Sequence, residues 1–592
     1  MYQKAHPNPY PTTISSISNF TTLLIVIFAL QITLNMKKTN FLIVLTMFVS
    51  TLFAQESKPG IYELQFKDKG PNTDAAFDPS AFLSEKAVER RLKHQIAFEQ
   101  SDIPVNVEYV KEVADNGAKI LTRSRWFNNV VVEATPDMVK QISDLPFVAA
   151  VKLLDNEANN VSLSQKPFLE AESINKWTAG IPKKATSDVY NYGAAFNQIN
   201  QLKGQYLHNH GFSGQGMTIA VLDAGFNSVD VMTCFDSLRS NNQIKGTRDF
   251  AQPGNNVYAT TMHTHGTSVL SCMGAYANGL MVGTAPKADY WLLRSEVGEY
   301  ENIIEEYFWV SAAEFADSIG ADLINSSLGY TEFDPPGTTN HTYADMDGNT
   351  TYITKGADKA AEKGILVVNS AGNSGGINDP WKYIGAPADG DSVFSIGAVD
   401  AEGKRSSFSS LGPTYDRRIK PTVSAQGTGS TIFSPTGLSS GNGTSFSSPI
   451  ICGITACLWQ ALPNLNNMEI IEAIKATSSQ VNNPDSLLGW GIPNYELALT
   501  TLSVETQTTD KTLFTYPNPV TNSLTIGLPI NLHGSYTVQI IDIQGKTVYS
   551  ISEQNDSLRS LQINNIGKLA AGIYLIRLTD DLLTYSGKFV KK

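Results

Sequence analysis

The spacing of apolar residues changes character along the chain, and each change marks a boundary. Two mainly apolar runs come first, at 20–34 and 41–54, separated by Met36-Lys37-Lys38-Thr39-Asn40. Neither comfortably reaches the roughly 20 residues of a membrane-spanning helix. A basic start, a short apolar stretch and the small Ala54 predict a signal peptide over 36–54. Residues 1–35 then read as an upstream mis-start ahead of Met36. From 55 to 154 the pattern is that of a small α/β unit. Tyr62-Glu63-Leu64-Gln65-Phe66 alternates as a strand, 84–100 is helical and charged, and 126–134 and 147–153 read as strands. Between those two, Thr135-Pro136 is an N-cap followed by proline at the first helical position, opening a helix to about Ser143 and so a βαβ element.

Residues 155–189 are polar and without period, which predicts an exposed linker; Lys183-Lys184 lies inside it. Over 190–503 short apolar runs (217–222, 290–293, 323–325, 365–368, 392–399) alternate with longer helical stretches. Apolar runs of this kind are strands buried on both faces, so the segment predicts an α/β domain with a doubly wound, mainly parallel sheet. Chemistry in such sheets belongs at the C-terminal strand ends. A second polar linker covers 504–511. Over 512–592 alternating strands with a turn at Gln544-Gly545-Lys546 predict a small antiparallel β-sandwich.

Composition then removes several function classes. At 592 residues, 42% hydrophobic and 17% charged, the chain holds several globular domains. A formal net charge of -12 without basic clusters argues against nucleic acid as a partner. Four cysteines make no disulfide framework, and no Cys/His pair has zinc spacing. Cys272, Cys452 and Cys457 lie in apolar stretches, where buried thiols are expected; a bridge from Cys234 to Cys272 stays open.

The candidate chemistry sits at strand ends and helix starts. Gly443-Thr444-Ser445-Phe446-Ser447-Ser448-Pro449 precedes an apolar run that predicts a helix buried all round, with Pro449 expected near its start. A serine there meets unpaired N–H groups that favour negative charge, as an oxyanion needs. The strand at 218–222 ends in Asp223, a costly group to bury without a partner. His263-Thr264-His265-Gly266-Thr267 opens a further apolar helix; an imidazole there, its tautomer held by a carboxylate, suits a general base. The order Asp223, His265, Ser445 is that of subtilisin among the known serine-protease triads.

Val221-Leu222-Asp223-Ala224-Gly225, His265-Gly266-Thr267 and the 443–449 segment together resemble the three signature segments of subtilisin-like serine proteases. The resemblance implies Asp223, His265 and Ser445 as catalytic residues. Ala371-Gly372-Asn373-Ser374 resembles the family's oxyanion loop, which implies that Asn373 donates its amide. Ser326-Ser327-Leu328-Gly329 resembles the edge that pairs with substrate backbone beside the P1 pocket, implying substrate contacts at Ser327, Leu328 and Gly329. Ser268 and Phe446 depart from residues frequent in the family, at positions off the reacting atoms. Asp345-Met346-Asp347-Gly348-Asn349 clusters oxygens on a glycine turn; Asp345 and Asp347 are weak candidate ligands for a structural calcium. No cofactor is expected in the chemistry.

The flanks also carry resemblances. Residues 55–154, with Ser124-Arg125-Trp126-Phe127-Asn128-Asn129, are similar to the inhibitory propeptides of such proteases. Residues 512–592, with Tyr516-Pro517-Asn518-Pro519 and Leu569-Ala570-Ala571-Gly572-Ile573-Tyr574, resemble the type IX secretion sorting domain of Bacteroidetes. These imply an auto-inhibited zymogen, exported through the periplasm to the cell surface or beyond. Its partners would be protein or peptide substrates, its own propeptide and the secretion machinery. A surface binding protein on an inactive protease fold would need a missing triad member, and none is missing. A maturation enzyme with few targets and a degradative one are not separated by the residues.

Overall fold

The computed structural model describes residues 58–70, 78–156, 173–177, 188–298, 300–333, 340–505, 513, 515–528, 535–554, 560–564, 566–580 and 584–592. The expected mis-start, signal peptide, Lys183-Lys184 and most of the second linker lie outside these residues.

Residues 58–155 form a four-stranded antiparallel sheet, ordered β2-β3-β1-β4, from β1 (Gly60–Phe66), β2 (Lys119–Ser124), β3 (Asn129–Ala134) and β4 (Val148–Asp155). Helices α1 (Glu85–Lys93), α2 (Val107–Asp115) and α3 (Pro136–Ser143) accompany it. Thr135 caps α3 with Pro136 in its first turn, as its sequence predicts. The helix does join β3 to β4, but β1 lies between them, so the element is a split one. Strand β1 can occupy the centre because Leu64 and Phe66 are buried in the unit's core with Val130, Val132 and Ile142.

Within the linker expected at 155–189, the described residues are 155–156, 173–177 and 188–189. Strand β4 runs through Asp155, and β5 (Ser173–Lys176) pairs antiparallel with Ser439–Asn442. All four side chains of β5 are exposed, so it is held by main-chain bonds and leaves no apolar period to detect.

The central sheet has seven parallel strands. They are β6 (Thr218–Asp223), β7 (Ile244–Asp249), β10 (Asp289–Arg294), β11 (Leu323–Ser326), β12 (Leu366–Ser370), β13 (Phe394–Val399) and β14 (Val423–Gln426), ordered β14-β13-β12-β11-β6-β10-β7. A small hairpin, β8 (Tyr276–Ala277) with β9 (Met281–Val282), stands apart, and β15 (Ser430–Ser434) pairs with β16 (Gly437–Asn442) beside β5. Both faces of the sheet are covered, which is why β6 is buried throughout. Ile219 and Val221 enter one apolar cluster with α4 (His265–Gly274) and the later helix bearing Ile450, Ile451 and Ile454. Ala220 and Leu222 enter the other, with α5 (Ile304–Ser318) and α6 (Tyr352–Glu362). Ile61, Trp126, Val131 and Leu154 join that second cluster, so the N-terminal unit packs over α5.

The helix after Gly443, α7 (Thr444–Ala461), is buried along nearly its whole length. Gly453 is required in it, because a Cβ there would stand 2.1 Å from the Thr284 hydroxyl. Two further helices, α8 (Asn467–Ala476) and α9 (Tyr495–Glu505), complete the layer. The C-terminal region is two antiparallel sheets. One holds β17 (Thr515–Tyr516), β18 (Leu524–Gly527) and β21 (Ser560–Ile563), the other β19 (Ser535–Ile541), β20 (Thr547–Gln554), β22 (Gly572–Thr579) and β23 (Thr584–Lys591). They share a core that includes Leu524, Val538, Ile576 and Phe589. All four cysteines are buried free thiols, so the open Cys234–Cys272 bridge is not made. Burial pushes the Cys234 thiol up to about 12.

Candidate active site

Three strand ends and two helix starts converge at one edge of the central sheet. Asp223 ends β6 and is fully buried. Its Oδ1 accepts the Ala224 N–H at 2.7 Å and pairs with His265 Nδ1 at 2.8 Å. His265 is the first residue of α4, and Gly266 lets it come this close. A Cβ on Gly266 would lie 2.4 Å from the Gly225 carbonyl and 2.9 Å from the Asp223 side chain. On the neighbouring strand Arg294 stands in register with Asp223. Its guanidinium goes elsewhere, to Asp249 at 2.8 Å and the Ala224 carbonyl at 3.1 Å. With that cation neutralised by its own carboxylate, the Asp223 carboxylate faces the imidazole. His263 Nδ1 accepts the His265 backbone N–H at 3.2 Å.

Ser445 lies in the first turn of α7 and is fully buried. Gly443 before it is extended, with φ 160°. The expectation for Pro449 changes. It sits inside α7 rather than at its start, and its missing N–H leaves the Ser445 carbonyl without the usual i−4 donor. The Ser327 hydroxyl supplies the replacement, donating to that carbonyl at 3.0 Å. In return Ser445 Oγ donates to the Ser327 carbonyl at 3.4 Å. Ser327 is therefore tied to the nucleophile candidate itself, through its hydroxyl as well as its backbone.

The segments after β11 and β12 are cross-braced. Asn325 donates to Ser327 Oγ at 3.4 Å and accepts from Ser448 Oγ at 3.3 Å. Asn369 Nδ2 donates to the Leu328 carbonyl at 3.0 Å and to the Ser370 carbonyl at 2.8 Å. Asn373 Oδ1 accepts both the backbone N–H and the hydroxyl of Thr444, each at 2.9 Å. Its acceptor end is thereby committed, which fixes which way the amide faces. The bonds made by Asn325, Asn369 and Thr444 were not singled out in the sequence. The available signal was polar residues inside otherwise apolar strand ends, as in Asn325-Ser326 after Leu323-Ile324.

The two departures are accommodated. Ser268 is buried within α4, and its carbonyl accepts the Ser271 hydroxyl at 2.6 Å. The Phe446 ring fills space that a Cβ on Gly441 would enter at 2.4 Å, and lies 6.4 Å from the His265 ring. The calcium candidates behave differently. Asp345 Oδ2 caps Thr342, and Asp347 accepts the N–H groups of Asn349 and Thr350. Both carboxylates serve their own turns. Among the described residues the group of three acidic side chains close enough to share an ion is Glu296, Glu301 and Glu305.

Three family models match the chain. Residues 214–491 match the subtilase family, described as peptidase S8. The chain carries a subtilase-family peptidase domain. Residues 62–169 match the peptidase S8 propeptide domain of Bacteroidota, and 515–592 the secretion system C-terminal sorting domain. Subtilisin NAT of Bacillus subtilis subsp. natto is 26% identical over 414 residues, 69% of this chain and 90% of that protein. Subtilisin of Bacillus pumilus is 28% identical over 307 residues, 51% of this chain and 97% of its own. Among solved structures, MycP1 with its N-terminal propeptide removed matches at 24% identity with a TM-score of 0.39, covering 51% of this chain and 96% of that one. The chain is thus a serine-type endopeptidase made as a zymogen with its own propeptide. Its sorting domain directs it through type IX secretion to the cell surface or the extracellular space.

Proposed function

We propose that this subtilase cleaves peptide bonds through an acyl-enzyme, with Ser445 as nucleophile. His265 takes the serine proton and later returns it to the leaving amine, while Asp223 holds the imidazole tautomer and balances the imidazolium. The Nδ2 of Asn373 and the backbone N–H of Ser445 hold the oxyanion. The edge Ser327-Leu328-Gly329 receives the substrate backbone as an added strand. The observation that carries this reading is the buried 2.8 Å pair of Asp223 and His265 beside a helix start whose serine is laced to Ser327. No cofactor enters any step. The donors already held by Asp345 and Asp347 fit turn-capping better than calcium binding, so no calcium role is built on them.

The propeptide ends near 154 and the mature enzyme begins between 155 and about 192, after a signal peptide at 36–54 has been removed in export. A fluorophosphonate probe tests the chemistry. The wild-type protein should be labelled and Ser445→Ala should not; labelling that survives the substitution, or is absent from both, overturns the assignment.

A further inference from the structure

Helix α1 adds nothing to the apolar core of the propeptide. That core is built on Leu64, Val113, Val130 and Ile142, and no residue of 78–104 is among those that form it. The side chains that α1 buries are Ala87, Arg90 and Arg91, two of them charged. A helix that buries guanidinium groups needs acceptors from elsewhere, because an unanswered buried charge is costly. The protease supplies them.

These acceptors lie at the end of the central sheet away from Ser445. Lys86 pairs with Asp322 at 2.6 Å and donates to the Thr218 hydroxyl at 2.7 Å, where β11 and β6 begin. Thr218 opens the strand that Asp223 ends, roughly 17 Å further on at the rise of a strand. Arg90 donates to the carbonyls of Ala321 and Asp317 and, at 3.1 Å, to that of Lys363. Asp317 is in the last turn of α5 and Lys363 is the C-cap of α6. One guanidinium thus closes two helix ends, whose unpaired carbonyls attract a cation. The Ser84 N–H donates to the Ser318 carbonyl, also at the end of α5, at 2.8 Å. In the other direction Lys363 reaches back to Glu99 and Asp102, each at 3.1 Å. The fit is close: a Cβ on Gly320 would stand 2.8 Å from the Ala87 nitrogen, and one on Gly364 2.7 Å from the Ile96 side chain. His94 meets Trp459, which lies roughly 21 Å along α7 from Ser445 at the helical rise. All of these contacts are made by residues 84–102, so a cut beyond β4 leaves them intact.

We propose that 78–104 is a second anchor of the propeptide, which grips the protease where β6, β11 and β12 begin and works independently of the active-site end. The proposal rests on the cut placed beyond residue 154. Once that bond is broken, the anchor keeps the propeptide docked and the enzyme latent until the segment itself is removed. Its strength comes from charge-assisted bonds to Asp317, Asp322 and the helix-end carbonyls rather than from apolar area.

The test is the dissociation rate of the propeptide after the chain has been cut. In full-length Ser445→Ala, a site for a sequence-specific protease placed within 157–172 allows the cut without the chain's own activity. The cut protein should retain its propeptide through size-exclusion chromatography. Arg90→Gln in the same background should speed dissociation by at least about 30-fold, as for the loss of one partner of a buried charged pair. Lys86→Ala, whose pair is partly exposed, should speed it about 2- to 5-fold, and it keeps the test open should Arg90→Gln fail to fold. A propeptide that leaves the parent as fast as it leaves either variant overturns the proposal. Fluorophosphonate labelling of the wild-type chain reads the chemistry separately. A labelled chain whose propeptide is indifferent to Arg90 and Lys86 loses only the anchor, and an unlabelled one whose propeptide is held by them loses only the catalytic assignment.

Discussion

Asp223 and Asp317 are both fully buried carboxylates, and they are answered in opposite ways. Asp317 lies on α5 and meets three arginines of the propeptide: Arg90, Arg91 at 2.8 Å and Arg125 at 2.7 Å. Arg91 also pairs with Asp102 at 3.0 Å, and nearby Glu314 accepts the Ser124 hydroxyl and the Arg125 and Trp126 N–H groups. Asp223 meets one imidazole and one backbone N–H. Guanidinium groups keep their charge at any working pH, so the network at Asp317 is a clamp without a proton to move. An imidazole can accept and return a proton, as the proposed role of His265 at Asp223 requires. Burial alone does not distinguish a structural carboxylate from a candidate catalytic one; the chemistry of its partner does.

The largest effect that would break this contrast is at Asp223. Asp223→Asn should lower kcat on the order of 10⁴-fold, the size of the same change in another Ser-His-Asp protease. A loss below tenfold would make the pair with His265 structural. Asp317→Asn comes next. It leaves three guanidinium groups facing a neutral amide in a buried interface, a change that costs about 3–5 kcal/mol when one partner of a buried pair is lost. The expected result is a propeptide that folds onto the protease poorly, seen as a smaller yield of matured enzyme. Intact yield would show that apolar contacts such as Trp126 carry the docking.

The smallest effect is one of pH. His94 ends α1, and its ring lies 6.2 Å from that of Trp459 on α7. Burial, with Lys93 and Arg90 close by, pulls its pKa down to about 4. Released from the protease, the imidazole would return toward about 6.5. The docked state then binds fewer protons between those values, so docking strengthens as pH rises through the window. Docking should be complete above about pH 6.5 and weaken as pH falls toward about 4. Propeptide release measured across that range, with His94→Gln as the flattened control, checks the sign. The arginine clamp predicts no such slope of its own.

Much of this organisation was legible in the chain. The apolar runs that became β6, β11 and β12 announced a sheet covered on both faces, and the period-2 stretches after 512 announced the C-terminal sheets. Asp223, His265 and Ser445 stood out because each interrupts an apolar element at its end. The edge strand Ser173–Lys176 was not legible, since all its side chains face outward. Nor was the fate of Asp345 and Asp347, whose oxygens cap their own turns.

What the sequence by itself determined is the division into propeptide, protease and sorting regions and the short list of chemical residues. Those follow from local periodicity, because a buried face imposes its period on whatever segment forms it. Only the tertiary structure decided the partnerships. Ser327 answers the carbonyl that Pro449 leaves bare, Arg91 crosses from the propeptide to Asp317, and Arg294 turns to Asp249 rather than to the Asp223 beside it. A buried polar group must find a partner, but which one it finds depends on strand order and register, and these bring together residues far apart in the chain.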